Sequence, residues 1–452
     1  MLYRKIRSYI DAHLRSNEDK ILLIEGARQI GKSYIIRDVG RNLYDNYVEI
    51  NFVEDDAGDK IFRNVRTTEE FYLNLSMVAG FKLDKYENTL VFIDEIQHYP
   101  QFLTMLKFLR QEHRYRFICS GSLLGIALKK TVSVPVGSII PKKMYQLDFE
   151  EFLIANDFGE DAIVHLRKSF EQKQPLAPEV HDKVLSLFKR YLLVGGMPDA
   201  VNEYLNSHNI VKVREAQESI RELYGVDASR YEEDAAKKLY IRRIYDMIPS
   251  QMENKKKRIV AKDILDRKGD RFSNYVEEFE YLINSGITIA SNAISNPKYP
   301  LAESQQKNLL KLYMNDVGML SSQLYHYNIQ PILNDIASIN LGSVYESAVA
   351  QELKAHYEKL FYYDNKQKGK VDFLVADSGT MSVLPIEVKS GKDYTVHSAL
   401  DNLMTIQDYH IISSIVLSNE REIKTKGNIL YLPIYYVMFL ENKVPEKENL
   451  YF

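Results

Sequence analysis

Four short apolar runs, Ile21 to Glu25, Tyr47 to Phe52, Leu90 to Asp94 and Tyr115 to Cys119, alternate with stretches whose apolar positions fall at helical spacing. Runs that lack a polar alternate face suit strands covered on both sides. Their alternation with helices predicts a parallel α/β sheet over residues 1–148. Ahead of them Leu2, Ile6, Tyr9, Ile10, His13 and Leu14 mark a short amphipathic helix that needs a surface to lie on. Residues 149–235 read as helices, Glu150 to Asn156, Val180 to Leu193 and Val213 to Tyr224, interrupted by the turn Gly195-Gly196-Met197-Pro198; a helical lid or linker is expected. Residues 236–338 carry short helical patterns and then a hairpin-like stretch after Ile287, an order suited to a winged helix. Over residues 339–447 the pattern is helix (Ser343 to Glu358), three strands (Leu360 to Tyr363, Val371 to Val375, Val383 to Val388), helix (Ser398 to Tyr409) and strand (Ile412 to Leu417), a second α/β domain.

Composition changes this picture little. The 452 residues allow about three domains, each large enough for its own core. With 45% hydrophobic and 27% charged residues the chain is an ordinary globular one, and long disorder is excluded. The apolar stretch Ile429 to Leu440 is too short for a membrane span and contains Pro433, so no membrane partner is expected. A single cysteine, Cys119, inside an apolar run and without a secretory signal, points to a buried thiol and a cytoplasmic location. Residues 448–452, Glu-Asn-Leu-Tyr-Phe, read as a tag remnant.

Chemistry enters with Gly26-Ala27-Arg28-Gln29-Ile30-Gly31-Lys32-Ser33, which matches G-x-x-x-x-G-K-[ST]. The string follows a strand and opens a helix, so its backbone N–H groups can curl round phosphate oxygens at the helix N-terminus. Lys32 is expected to reach the β- and γ-phosphates of ATP, and the Ser33 hydroxyl to ligate Mg²⁺. The strand Leu90 to Asp94 ends in Asp94-Glu95, a Walker B pattern in which Asp94 holds Mg²⁺ and Glu95 polarises the attacking water. A further strand ends in Ser120-Gly121-Ser122, with Ser120 the candidate sensor of the γ-phosphate.

Two more clusters stand apart. Between Lys237 and Arg271, 12 Lys or Arg face 5 Asp or Glu in a chain whose net charge is −3. Lys255, Lys256, Lys257 and Arg258 are the candidate contacts to DNA phosphates. In the last domain Asp372 and Glu387-Val388-Lys389 fall on successive strands; Glu387 and Lys389 project from one face, where two carboxylates and a lysine could serve a divalent cation. His98, His397 and His410 show no metal-ligand spacing and read as structural or surface residues.

Taken with Leu192-Leu193-Val194-Gly195-Gly196-Met197-Pro198, these strings resemble the prokaryotic AAA-type ATPases that carry a C-terminal domain of unknown function with a nuclease-like fold. The resemblance implies a P-loop AAA-type core, a helical lid, a winged-helix region and a restriction-endonuclease-like α/β domain. There Glu346 would complete the set Asp372, Glu387 and Lys389 around a second Mg²⁺. It marks Arg28 and the Gly-Gly-Met-Pro turn as hallmarks of the group, and it implies a homo-oligomer. One departure concerns an arginine common in the family, preceded by Leu-Ala-Gly, where this chain reads Pro135-Val136-Gly137-Ser138; Lys142 or Lys143 would have to replace it. The function implied is Mg²⁺-dependent ATP hydrolysis coupled to binding or remodelling of DNA, branched or junction DNA in particular. The alternatives are an ATP-binding signalling or defence switch that recruits a protein partner, and an ATP-gated metal-dependent nuclease.

Overall fold

The structure is a computed structural model. It describes residues 1–442 apart from 52–59, 81, 82, 84, 123–136, 232, 233, 255, 256, 267, 268, 337, 338 and 392; the side chains of 228–231 and 306–308 are likewise outside the description. The chain forms two compact units, residues 1–146 with 284–287, and residues 147–283 with 288–452.

In the first unit helix α1 (Lys5–Arg15) precedes strand β1 (Ile21–Glu25), helix α2 (Lys32–Leu43), β2 (Asn46–Asn51), α3 (Thr68–Ala79), β3 (Thr89–Asp94), α4 (Pro100–Glu112), β4 (Arg116–Gly121) and β5 (Ile139–Lys143). The sheet has the order β2-β3-β4-β1-β5, and every pair is parallel. One face of the strands, Leu23, Val91, Ile93, Phe117 and Cys119, packs with Phe71, Phe102 and Leu106 in a single core. The other face, Leu22, Ile24, Leu90, Phe92 and Ile118, is equally buried. Double burial is why these strands read as unbroken apolar runs. Burial also pushes the Cys119 thiol far up, so it acts as a small hydrophobe.

Strand β5 was absent from the apolar pattern. Its residues Ile-Ile-Pro-Lys-Lys are mostly exposed, and it lies at the edge of the sheet, the one place in a ladder that tolerates proline and lysine.

The second unit opens with helices α5 (Phe149–Ala155), α6 (Glu160–Glu171), α7 (Pro178–Val194), α8 (Pro198–Ser207), α9 (Ile210–Tyr231) and α10 (Ala235–Glu253). Then follow β6 (Thr288–Ile294), β7 (Gln305–Met314), α11 (Val317–Tyr325), α12 (Gly342–His356), β8 (Leu360–Asn365), β9 (Gly369–Asp377), β10 (Ser382–Val388), α13 (Ser398–Met404), β11 (Ser414–Ser418), β12 (Lys424–Lys426) and β13 (Ile429–Pro433). These eight strands form one sheet, β12-β13-β11-β10-β9-β8-β6-β7. The hairpin of β6 and β7 is therefore not separate from the last domain: β6 runs parallel to β8, and the sheet crosses the boundary placed at 338/339. Helix α12 is buried along almost its whole length, from Ser343 to Leu353, and packs on β6, β7, β8 and β10. The expected helix Ser398 to Tyr409 ends at Met404, where Thr405 and the β-branched Ile406 lead into a short turn over Gln407–Tyr409. The apolar stretch after Ile429 is β13 and the buried turn Ile434–Phe439. Among the described residues no helix is long and apolar enough to cross a membrane.

Candidate functional site

The carboxyl ends of β1 to β4 meet in the first unit. Register places Ile24 beside Ser120, and Asn51 beside Asp94. Open parallel sheets hold their ligands at this edge. Between β1 and α2 the loop of Gly26 to Ser33 turns through two residues with positive φ, Gln29 at 62° and Gly31 at 89°. A Cβ at Gly26 would run into the carbonyl of Met144, so that position admits only glycine. Lys32 is buried, with Nζ donating to the carbonyls of Gly26 at 3.0 Å and Ala27 at 2.7 Å. Its ammonium thus folds back on the loop.

Asp94 is 2% exposed and collects donors from three elements. Ser33 Oγ donates to Oδ2 at 2.7 Å, Asn51 Nδ2 to the same oxygen at 3.2 Å, and Ser120 Oγ to Oδ1. Burial pushes its pKa up, against the hydrogen bonds of Ser120 and Ser33. Ser120, expected to sense the γ-phosphate, thus orients Asp94 here. The donors Ser33 Oγ and Asp94 are hard oxygens side by side, and this set fits Mg²⁺.

Glu95 adopts φ 48°, a left-handed conformation that costs a non-glycine residue about 1–3 kcal/mol and re-aims its side chain. Its Oε2 accepts from Gln97 Nε2 and from Ser122 Oγ at 3.1 Å, and Gln97 also donates to Ser122. Burial alone would raise Glu95, but the charges of Lys32 and Arg28 and the two hydrogen bonds outweigh it and hold the carboxyl below its ordinary value. The result is an ionised acid beside a phosphate loop.

Three supporting residues are assigned no role by the motif strings. Gln97 and Ser122 lock Glu95. Arg4, 3% exposed at the start of α1, donates to Ile30 O in the loop at 2.8 Å and to Tyr145 O at 2.5 Å. Lys142, a candidate for the missing arginine, lies 4.5 Å over the Tyr9 ring, and Lys143 pairs in register with Glu25.

The second cluster lies in the other unit. Glu346 of α12 is 1% exposed; Lys311 Nζ and the Tyr313 hydroxyl donate to Oε1, each at 2.7 Å, and Lys257 Nζ to Oε2 at 2.6 Å. Val388 N–H donates to Asp372 Oδ2 at 2.9 Å, and Lys389 Nζ lies 2.9 Å from Glu387 Oε1. Asp372, Glu387 and Lys389 do gather where β9 and β10 meet. Within the run Lys255 to Arg258 the two described cations turn toward carboxylates: Lys257 to Glu346, and Arg258 to Asp364 at 3.6 Å. Lys255 and Lys256 lie outside the described residues. His397 is bonded to the Tyr431 hydroxyl at 2.6 Å, while His98 and His410 are exposed.

The Gly195-Gly196 turn closes round a buried carboxylate. Asp316 caps α11 through Met319 N–H at 3.1 Å and accepts from Gly196 N–H at 2.6 Å, while Gly196 O accepts from Leu147 N–H at 2.8 Å. Burial lifts Asp316 to about 6. Its place explains why this turn uses glycines, and assigns them to structure.

Residues 18–153 match the family described as AAA domain; residues 185–327 and 341–437 match two domains of unknown function, DUF8612 and DUF4143. No curated protein matches the chain. Among solved structures the Walker-type ATPase PABY2304 of Pyrococcus abyssi is similar at 15% identity and a TM-score of 0.41, over 71% of this chain and 95% of that one. PCH-2 of C. elegans follows at 15% and 0.30, over 48% and 69%. The S. cerevisiae Hsp104–ADP complex stands at 11% and 0.30, over 78% and 43%. The domain match and the loop, strand and carboxylate geometry together make residues 18–153 a P-loop ATPase domain of AAA type.

Proposed function

We propose that this protein hydrolyses ATP with Mg²⁺ at the loop of residues 26–33 and couples the cycle to a nucleic-acid partner of its second unit. The observation that carries the first half is the convergence of Ser33, Asn51 and Ser120 on Asp94, next to an ionised Glu95. Loop N–H groups from Ala27 to Ser33 receive the phosphates. A phosphate oxygen competes with the carbonyls of Gly26 and Ala27 for Lys32. Ser33 and Asp94 would hold Mg²⁺, which when bound neutralises charge on the β- and γ-phosphates. Glu95 accepts a hydrogen bond from the attacking water and draws off its proton. Gln97 and Ser122 keep that carboxylate aimed.

For the second unit, the charge surplus between residues 237 and 271 supports a nucleic-acid partner. A winged helix built from the short helices Lys262–Leu265 and Val276–Asn284 with the β6–β7 hairpin, and a restriction-endonuclease-like core built from α12, β8, β9, β10 and β11, belong to this proposal, and the order of these elements supports it. Assembly into a homo-oligomer belongs to the same proposal. The test is steady-state ATP hydrolysis by the wild type and Lys32→Ala in Mg²⁺, with and without duplex and four-way junction DNA. Turnover stimulated by junction DNA and abolished by Lys32→Ala is expected. Slow turnover that ignores DNA would replace the coupling by a nucleotide switch for a protein partner. No turnover above that of Lys32→Ala would overturn the hydrolysis itself.

A further inference from the structure

The acids Glu346, Asp372 and Glu387 were expected to share a divalent cation, and their surroundings do not fit one. Among the described residues no three carboxylate, histidine or cysteine side chains converge as a metal-holding group. Both oxygens of Glu346 are already taken by cationic or hydroxyl donors. The chief of these is Lys311, which comes from β7 of the hairpin and is 4% exposed. Its ammonium lies 2.7 Å from Glu346 Oε1 and 4.6 Å from the centre of the Tyr362 ring, a face that attracts a positive charge.

Electrostatics agrees with the geometry. Burial would strip the Lys311 proton, but the charges of Glu346, Asp372 and Glu387 outweigh it and raise its pKa. Lys311 thus answers Glu346 at contact distance, while Glu387 has Lys389 Nζ at 2.9 Å, and burial together with the neighbouring carboxylate raises both Asp372 and Glu387, the latter to about 8. Burial likewise opposes ionisation of Glu346, yet Lys311 and Lys257 hold it at about 2. A divalent ion entering here would lie against two ammonium groups at contact distance, an arrangement that repels it.

We propose that Lys311, assisted by Lys257, is a built-in cation on Glu346 that takes the place there of the divalent metal expected beside Asp372 and Glu387. The C-terminal domain then needs no metal to hold its sheet and helix α12 together, and it does not cleave nucleic acid. The ion pair also ties the hairpin of β6 and β7 to α12, alongside the backbone pairing of β6 with β8.

The experiment uses the full chain with Lys32→Ala and Asp94→Asn, so that the nucleotide site is silenced and a failure here is separate from a failure of the ATPase reading. Mn²⁺ titration followed by electron paramagnetic resonance is expected to show no saturable site tighter than about 1 mM, the weak end of oxygen-ligated cation sites. A tight Mn²⁺ site that disappears on Asp372→Asn, or Mn²⁺-dependent cleavage of duplex, junction or single-stranded DNA, would overturn the proposal. In parallel, Lys311→Met is expected to lower the urea midpoint, and Lys311→Met with Glu346→Gln to recover most of the loss. Additive losses would overturn it. If Lys311→Met alone does not fold, a folded double variant gives the same answer, and an unfolded one counts against the proposal.

Discussion

The Ser33 hydroxyl donates to Asp94 Oδ2 at 2.7 Å, joining two residues 61 positions apart at the ends of α2 and β3. This bond aligns two oxygen donors that a Mg²⁺ ion would share, and it lowers the pKa of a carboxylate that burial raises. Ser33→Ala removes one donor and loosens the other. We expect the Mg²⁺ concentration for half-maximal ATP turnover to rise roughly tenfold or more. A Mg²⁺ titration of steady-state turnover checks it; an unchanged midpoint would detach Ser33 from the metal.

Glu95→Gln keeps the shape of the side chain and the loop that binds phosphate, and removes the ionised acceptor. Turnover should fall by about 10²–10⁴-fold. Nucleotide binding, read by a fluorescent ATP analogue, should survive, so loss of binding in step with turnover would contradict the role of Glu95.

Gln97→Ala tests a positioning residue. The Gln97 amide donates to Glu95 and helps hold its carboxyl below the ordinary value, so its removal must raise the pKa of Glu95. The acidic limb of the pH profile of turnover should move to higher pH, with turnover at neutral pH down roughly tenfold through lost alignment. A merely structural effect would lower turnover at every pH without moving the limb.

The parts of the site that sequence patterns reveal are those in which one local segment does the work. Gly26 to Ser33 and Asp94-Glu95 are each a strand end plus a turn, and the chemistry follows from residue type and spacing. Arg4, Lys311 and Tyr313 belong to no such string, and Gln97 and Ser122, though they lie in one, show their role only through the contact between the ends of β3 and β4. Arg4 reaches Tyr145 across 141 positions and Lys311 reaches Glu346 across 35, and only the completed sheet brings them together. The same reason hid the role of the basic segment: its charge was legible, while the direction of Lys257 depends on where α12 lies. The strands buried on both faces were legible because burial wrote itself into composition; exposed β5 was not.

The turn at Gly195-Gly196 and helix α9 give substitutions of opposite sign. Gly195 has φ 73° and a Cβ there would meet the Asp316 carboxylate, while one at Gly196 would run into Leu147 O. Each change to alanine should destabilise by about 2–4 kcal/mol. Gly225 lies within α9 with open space around its missing Cβ, so Gly225→Ala should stabilise by about 0.5–1 kcal/mol. Urea unfolding of the three variants reads both signs in one experiment.

Asp316 makes the last case, because its pKa is moved in the direction unusual for a carboxylate. Burial raises it from an ordinary 3.8 to about 6, against hydrogen bonds from Gly196 and Met319. The folded state thus holds the proton more tightly than the unfolded state. The stability this contributes is fully present below pH ~4 and is lost as pH rises through ~6. Two units correspond to about 3 kcal/mol at most. Asp316→Asn mimics the protonated form at every pH, so the difference in urea stability between variant and wild type should shift by about 2 kcal/mol toward the variant from pH 4.5 to pH 7.5. A difference that stays flat over this range would show that Asp316 titrates as an ordinary carboxylate, and that the charged turn costs the fold nothing.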